Sequence, residues 1–320
     1  MAQTIFGVTP VQITSTGVNY NWTAIDLSAY IPVGATGVIL RAWNPVAVKS
    51  YGIRKNGSTD DRYYAASGAM HCWAMIGVDS NRKIQFKNGG IGSTMLDLYG
   101  YTMPGVQFFT NATLISAGAL GSWVDVDLSA LIPARTLGVL VEVLCNSGTS
   151  KAVGVRKYGS TDDRTHVNGN LRNIFTAAVG VSDDLKIQIY REVGNILMYL
   201  NGYITSGAYF HTNAVDISQG AINGWRDLVT LPANGRFGFI ELVNNGAGTL
   251  SVRKNGYVES ELEAANRHAW GILESDEYGQ IEGYRDDLAS SFFLTGYGFG
   301  TRHTNDKSYP LARKPNVCKV

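Results

Sequence analysis

The sequence predicts an all-β protein made of three tandem antiparallel β-sandwich domains, of jelly-roll or immunoglobulin-like type. Three observations predict it. Four sequence markers return in the same order with a period of about 100 residues. Apolar and polar residues alternate with a period of two, and no stretch of a dozen residues keeps a helical period. Glycine (37) and tyrosine (17) are abundant, as in a chain of many strands and turns.

The first marker is a tryptophan followed by an acidic strand and a proline. It reads from Trp22 to Pro32, from Trp123 to Pro133 and, shortened, from Trp225 to Pro232. The second is an apolar run opened by Gly37, Gly138 and Gly238. The third is the strongest: Gly52-Ile-Arg-Lys-Asn-Gly-Ser-Thr-Asp-Asp-Arg62 matches residues 154–164 at nine of eleven positions. In the third copy it decays to Ser251-Val-Arg-Lys-Asn-Gly256 followed by Tyr-Val-Glu-Ser-Glu261. The fourth is a closing strand, Leu98-Tyr-Gly-Tyr101, Leu200-Asn-Gly-Tyr203 and Leu294-Thr-Gly-Tyr297.

A unit of about 100 residues exceeds the roughly 20–50 of a solenoid repeat and matches a small domain. The expected organisation is 1–105, 106–205 and 206–302, then a polar tail, 303–320, that either orders on assembly or frays. The junctions Met103-Pro104-Gly105 and Thr205-Ser206-Gly207 are short, which favours packed modules over beads on a string. Within a module, residues 82–87 put Ile84 and Phe86 on one face and Lys83, Gln85 and Lys87 on the other. Residues 185–190 repeat the alternation. The Gly138 run is apolar on both faces, as in a strand at the middle of a sheet. Asn-Gly turns at Asn56, Asn88 and Asn255 separate such runs, and seven or eight short strands fit each module.

Hydrophobic residues make up 45% and charged residues 17%, a composition that buries a core. The formal net charge of +1 gives no bulk bias toward nucleic acid or an anionic membrane. There is no apolar run of about 18 residues, and the first dozen residues lack the pattern of a secretion signal. Cys72, Cys145 and Cys318 form neither a disulfide framework nor a zinc pattern. No cofactor is expected.

The Gly-Ser-Thr-Asp-Asp-Arg segments carry the first candidate site. Asp60, Asp61, Asp162 and Asp163 supply oxygen ligands of the kind Ca²⁺ takes, but at a spacing that matches no Ca²⁺ loop. The plainer reading is a hairpin tip in which Arg62 or Arg164 pairs with neighbouring carboxylates. A further reading makes Asp60–Arg62 and Asp162–Arg164 contacts to a neighbouring subunit. Arg54-Lys55, Arg156-Lys157 and Arg253-Lys254 recur in all modules, with one stem expected to lie over the sheet. His71-x-Trp73 and His268-x-Trp270 each place both rings on one strand face, as a core pair or a carbohydrate platform. Trp22, Trp123 and Trp225 read as core. No nucleophile elbow occurs, and Cys72 and His71, adjacent on a strand, face apart.

The segments Gly154–Arg164, Val179-Gly-Val-Ser-Asp183, Lys186–Tyr190 and Tyr199–Tyr203, and more loosely Gly52–Tyr101, resemble a repeated module of tailed-phage and prophage virion proteins. The resemblance implies a structural or surface-exposed role on a virion, with assembly in the host cytoplasm. It carries over no catalytic residue. The expected function is therefore non-enzymatic: a head-decorating, spike or tail-associated protein whose partners are itself, as a homo-oligomer such as a trimer, and other virion proteins. The alternative is a receptor-binding protein taking a host surface glycan on His71, Trp73, His268 and Trp270. A polysaccharide-degrading tail enzyme ranks below both.

Overall fold

The computed structural model describes residues 2–14, 19–44, 49–62, 64–66, 70–89, 94–147, 149, 151–168, 173–220, 223–245, 248–257 and 268–300. The tail 303–320 lies outside them. The first module holds β1 (Ile5–Gln12), β2 (Asn19–Asp26), β3 (Gly37–Asn44), β4 (Lys49–Lys55), β5 (Tyr64–Ala66), β6 (Met70–Gly77), β7 (Lys83–Gly89) and β8 (Met95–Thr102). The second holds β9 (Val106–Leu114), β10 (Trp123–Asp127), β11 (Gly138–Cys145), β12 (Lys151–Lys157), β13 (His166–Asn168), β14 (Asn173–Gly180), β15 (Lys186–Arg191) and β16 (Ile196–Ile204). The third holds β17 (Ala208–Asp216), β18 (Gly224–Thr230), β19 (Gly235–Asn244), β20 (Leu250–Lys254), β21 (His268–Glu274), β22 (Gln280–Arg285) and β23 (Ser290–Phe299).

Strand order separates the two sandwich types named above. In module 1 the sheets run β1-β8-β3-β6 and β2-β7-β4-β5, all antiparallel. Numbered within a module this is 1-8-3-6 over 2-7-4-5, the eight-stranded double Greek key of a jelly roll. Module 2 repeats it as β9-β16-β11-β14 and β10-β15-β12-β13. Module 3 keeps β17-β23-β19-β21 and β18-β22-β20 among its described residues.

The first-named sheet of each module faces the other two modules. All eight residues of β11 and all ten of β19 are buried, one face on the sandwich core and the other on neighbours. The strands β6, β14 and β21 meet one another across the centre. One buried cluster accordingly draws Ile39 and Trp73 from module 1, Phe108 and Leu140 from module 2, and Phe210 and Phe239 from module 3. The chain is thus a closed ring of three jelly rolls.

The links between modules converge on the same centre. Thr4, Gly105 and Gly207 hold equivalent places: their carbonyls accept from the N–H of Met103 (2.8 Å), Thr205 (2.7 Å) and Phe299 (2.7 Å). Thr4 Oγ1 donates to the Ser206 carbonyl at 3.0 Å. A Cβ at Gly105 would stand 2.6 Å from Thr4 Cγ2, and one at Gly207 would stand 2.8 Å from it. Both glycines also hold a positive φ, +115° at Gly105 and +78° at Gly207, which favours glycine at these two places whatever the space.

Candidate functional site: a clasp between modules

The site is built on the loop between β4 and β5 and its copy between β12 and β13. Its base is a tryptophan on the outer face of the outer sheet. Val126 and Leu128 point into the core, so Trp123, Asp125 and Asp127 point out. Trp22, Trp123 and Trp225 are half-buried on this outer face, which corrects their reading as core residues. Each lies under a guanidinium: Arg54, Arg156 and Arg253 sit 4.1, 4.0 and 3.8 Å from the indole centroids. Such a pair contributes about 0.5–2 kcal/mol, more as it is desolvated.

The tryptophan and its arginine hold the loop. Trp22 Nε1 donates to Asp61 Oδ1, and Trp123 Nε1 donates to Asp163 Oδ1, both at 2.7 Å. The Trp22 hydrogen bond, with Lys87 beside it, lowers the Asp61 carboxyl below its ordinary range. Arg54 and Arg156 donate to the carbonyls of Asp60 and Asp162.

The loop then grips the next module. The Ala112 N–H donates to Asp60 Oδ2 at 2.9 Å, and the Ala214 N–H donates to Asp162 Oδ2 at 2.7 Å. Ser58 Oγ (2.9 Å) and the Thr59 N–H (2.8 Å) donate to Asn111 Oδ1. Ser160 Oγ (3.0 Å) and the Thr161 N–H (2.8 Å) do the same to Asn213 Oδ1. Asp60 and Asp162 also pair with Arg62 and Arg164 of their own loops, at 2.9 and 3.0 Å. Arg62 reaches Glu142 of module 2 at 2.5 Å, and Arg164 reaches Glu241 of module 3 at 2.7 Å. Their guanidinium carbons lie 4.2 and 4.4 Å from the centroids of Tyr199 and Phe293.

The two joints differ electrostatically. Burial dominates at Glu142 and holds its carboxyl above the ordinary range despite Arg62. At Glu241 burial acts the same way, but His268 and Arg164 outweigh it and the carboxyl sits below that range. His268 Nε2 lies 2.6 Å from Glu241 Oε1, and its Nδ1 lies 3.0 Å from the Val153 carbonyl oxygen of module 2.

Asp60–Arg62 and Asp162–Arg164 are therefore contacts to the next module of the same chain. Asp61 and Asp163 serve the loop's own tryptophan. Trp73 and Trp270 are 2% and 1% exposed and His268 is 0% exposed, so none presents a face to a ligand in solution. Trp270 stacks on Phe175 of module 2 at 5.4 Å, and Trp73 packs edge-on against Tyr99 at 4.7 Å. His71 lies on β6, and its side chain is outside the described residues. Among the described residues no cluster of three or more His, Cys, Asp or Glu groups is arranged to hold a metal ion.

Sequence reasoning passed over the receiving half of the clasp. Thr110-Asn111-Ala112 returns as Thr212-Asn213-Ala214, and Glu142 and Glu241 sit alike in their apolar runs. That recurrence was the signal. A carboxylate twice placed within a buried strand demands a cationic partner.

No protein-family model and no curated protein matches the chain. Among solved structures, the chain is similar to one from the atomic structure of Sulfolobus turreted icosahedral virus. The likeness is 10% identity over 94% of this chain and 92% of that one, with a TM-score of 0.21.

Proposed function

We propose that the protein is a non-enzymatic structural component of a phage virion, acting by symmetric assembly as a head-decorating, spike or tail-associated protein. The observation that carries this reading is the closed ring of three jelly rolls. A chain that closes three similar modules about one centre is a preformed, near-threefold block. It can seat on a threefold axis or associate with further copies about one. Its most repeated polar motif supports the same reading, because in modules 1 and 2 that motif joins module to module and rigidifies the block. Jelly rolls serve viral shells and also lectins and cupins, so the fold alone does not choose among them. The choice of a virion rests on the module resemblance at residues 154–203. The experiment is mass spectrometry of purified particles from the producing lysate, with particle imaging for position. The expected result is the protein in the particle at a copy number that fits threefold sites. Particles that lack it contradict the proposal.

A further inference from the structure

The three joints of the ring do not use the same key. Where module 1 meets module 2, the knob is Phe108 on β9 and the hole is the cross-strand pair Gly37 and Gly77. A Cβ on Gly37 would run into the Phe108 ring, and one on Gly77 would stand 2.6 Å from Phe108 Cβ. Where module 2 meets module 3, Phe210 on β17 fills the hole left by Gly138 and Gly180 in the same way. A Cβ on Gly180 would stand 2.6 Å from Phe210 Cβ.

At the closing seam, between module 3 and module 1, the key is reversed. The cross-strand pair equivalent to the two glycines is Phe237 and Glu274. The position on β1 equivalent to Phe108 and Phe210 is Gly7, by its pairing with Gly100 where theirs is with Gly202 and Gly296. A Cβ on Gly7 would stand 2.5 Å from the Glu274 carboxyl carbon. Glu274 is fixed there by Arg236 Nε at 2.9 Å and Lys254 Nζ at 2.7 Å. Phe237 is fully buried in the shared central cluster with Ile5 of β1.

We infer that the seam is a keyed joint whose one fitting partner is strand β1 of the chain's own first module, so that the ring closes at three modules and in one order. Phe237 and Glu274 exclude a strand carrying phenylalanine at the knob position, which rules out β9 and β17. The glycine holes of modules 1 and 2 would be left empty by β1. A chain of identical joints would have no such discrimination. It would add modules of a second copy head to tail as readily as it closed, and an open heterologous joint propagates into fibres. The Thr4 junction at the centre holds β1 of the same chain beside its own seam.

The test uses the full-length chain. Gly7→Phe alone is expected to open the seam. Its melting temperature falls by about 5 °C or more, or light scattering shows species larger than the parent. Rebuilding the seam on the pattern of Thr36-Gly37 and Gly77, as Gly7→Phe with Arg236→Thr, Phe237→Gly and Glu274→Gly, is expected to recover most of the lost melting temperature and, at low concentration, the parent's mass. The rebuilt variant is also expected to form dimers or longer species at high concentration, because its joints no longer discriminate. Gly7→Phe with the parent's mass and melting temperature overturns the inference. So does a rebuilt variant that melts no higher than Gly7→Phe.

Discussion

At the scale of single residues, the clasp arginines are held where removing them leaves a buried acid uncompensated. Arg164→Met keeps much of the stem but leaves Glu241 facing His268 alone inside the joint. The expected cost is about 3–5 kcal/mol, read by urea denaturation. The pH dependence follows from the direction of each carboxyl. Glu241 is lowered from its ordinary 4.5, so the stability it contributes is present above 4.5 and is lost as pH falls through its folded value. Glu142 is raised, so protonation favours the folded joint, and its contribution falls as pH rises through its folded value. The stability difference between the parent and Glu241→Gln is therefore expected to shrink from pH 6 to pH 3. For Glu142→Gln the difference is expected to move the other way, to the mutant's advantage, as pH rises from 4 to 8. Paired thermal melts across that range check both. The tryptophans show how much was legible at this scale. Ile25 and Leu27 take the inward face of their segment, and by parity Trp22 shares the outward face with Asp26. The misreading of Trp22, Trp123 and Trp225 came from weighing the size of the side chain above its phase.

At the scale of elements, the glycine of the closing strand explains its recurrence. A Cβ on Gly100, Gly202 or Gly296 would run into the carbonyl oxygen of Phe6, Gln107 or Tyr209 on the first strand of the module. Just before each glycine the register shifts, which bulges out Tyr99, Asn201 and Thr295. A bulge re-aims a side chain, and here it aims across the joints. Asn201 Nδ2 donates to the Met75 carbonyl at 2.9 Å, and Thr295 Oγ1, 3.0 Å from the Phe239 carbonyl of its own module, lies 3.4 Å from the Ala178 carbonyl of module 2. The knob on the first strand of module 2 fills a hole built for it. Phe108→Ala empties the hole between Gly37 and Gly77, at an expected cost of about 3–5 kcal/mol by denaturant unfolding. Gln107→Ala, on the exposed side of the same strand, is expected to cost less than about 0.5 kcal/mol. Strands, turns and repeat were legible because period-two alternation and Asn-Gly turns are local. The choice of a jelly roll was not, because β1 pairs with β8 and β2 with β7 across most of a module, and no local pattern encodes that order.

At the scale of the whole molecule, the repetition announced three modules but not where their inner sheets would face. The clue lay in runs such as 138–145, apolar on both faces: one face needs the sandwich partner and the other needs a further partner. That second partner is the rest of the chain. A fragment of residues 106–205 alone would expose the central face of β11 and β14, an apolar surface of the kind that drives association. It is expected to self-associate or to melt well below the parent, as light scattering and thermal melts would show. The clasps, the central cluster and the convergent links all require the full chain to be compact. Small-angle X-ray scattering of the intact chain, under conditions where light scattering gives the 34.6 kDa of one copy, measures this most directly. A closed ring of 320 residues is expected to have a radius of gyration of about 20 Å. A value near 30 Å, which three modules of about 13 Å strung end to end would give, contradicts the closed ring.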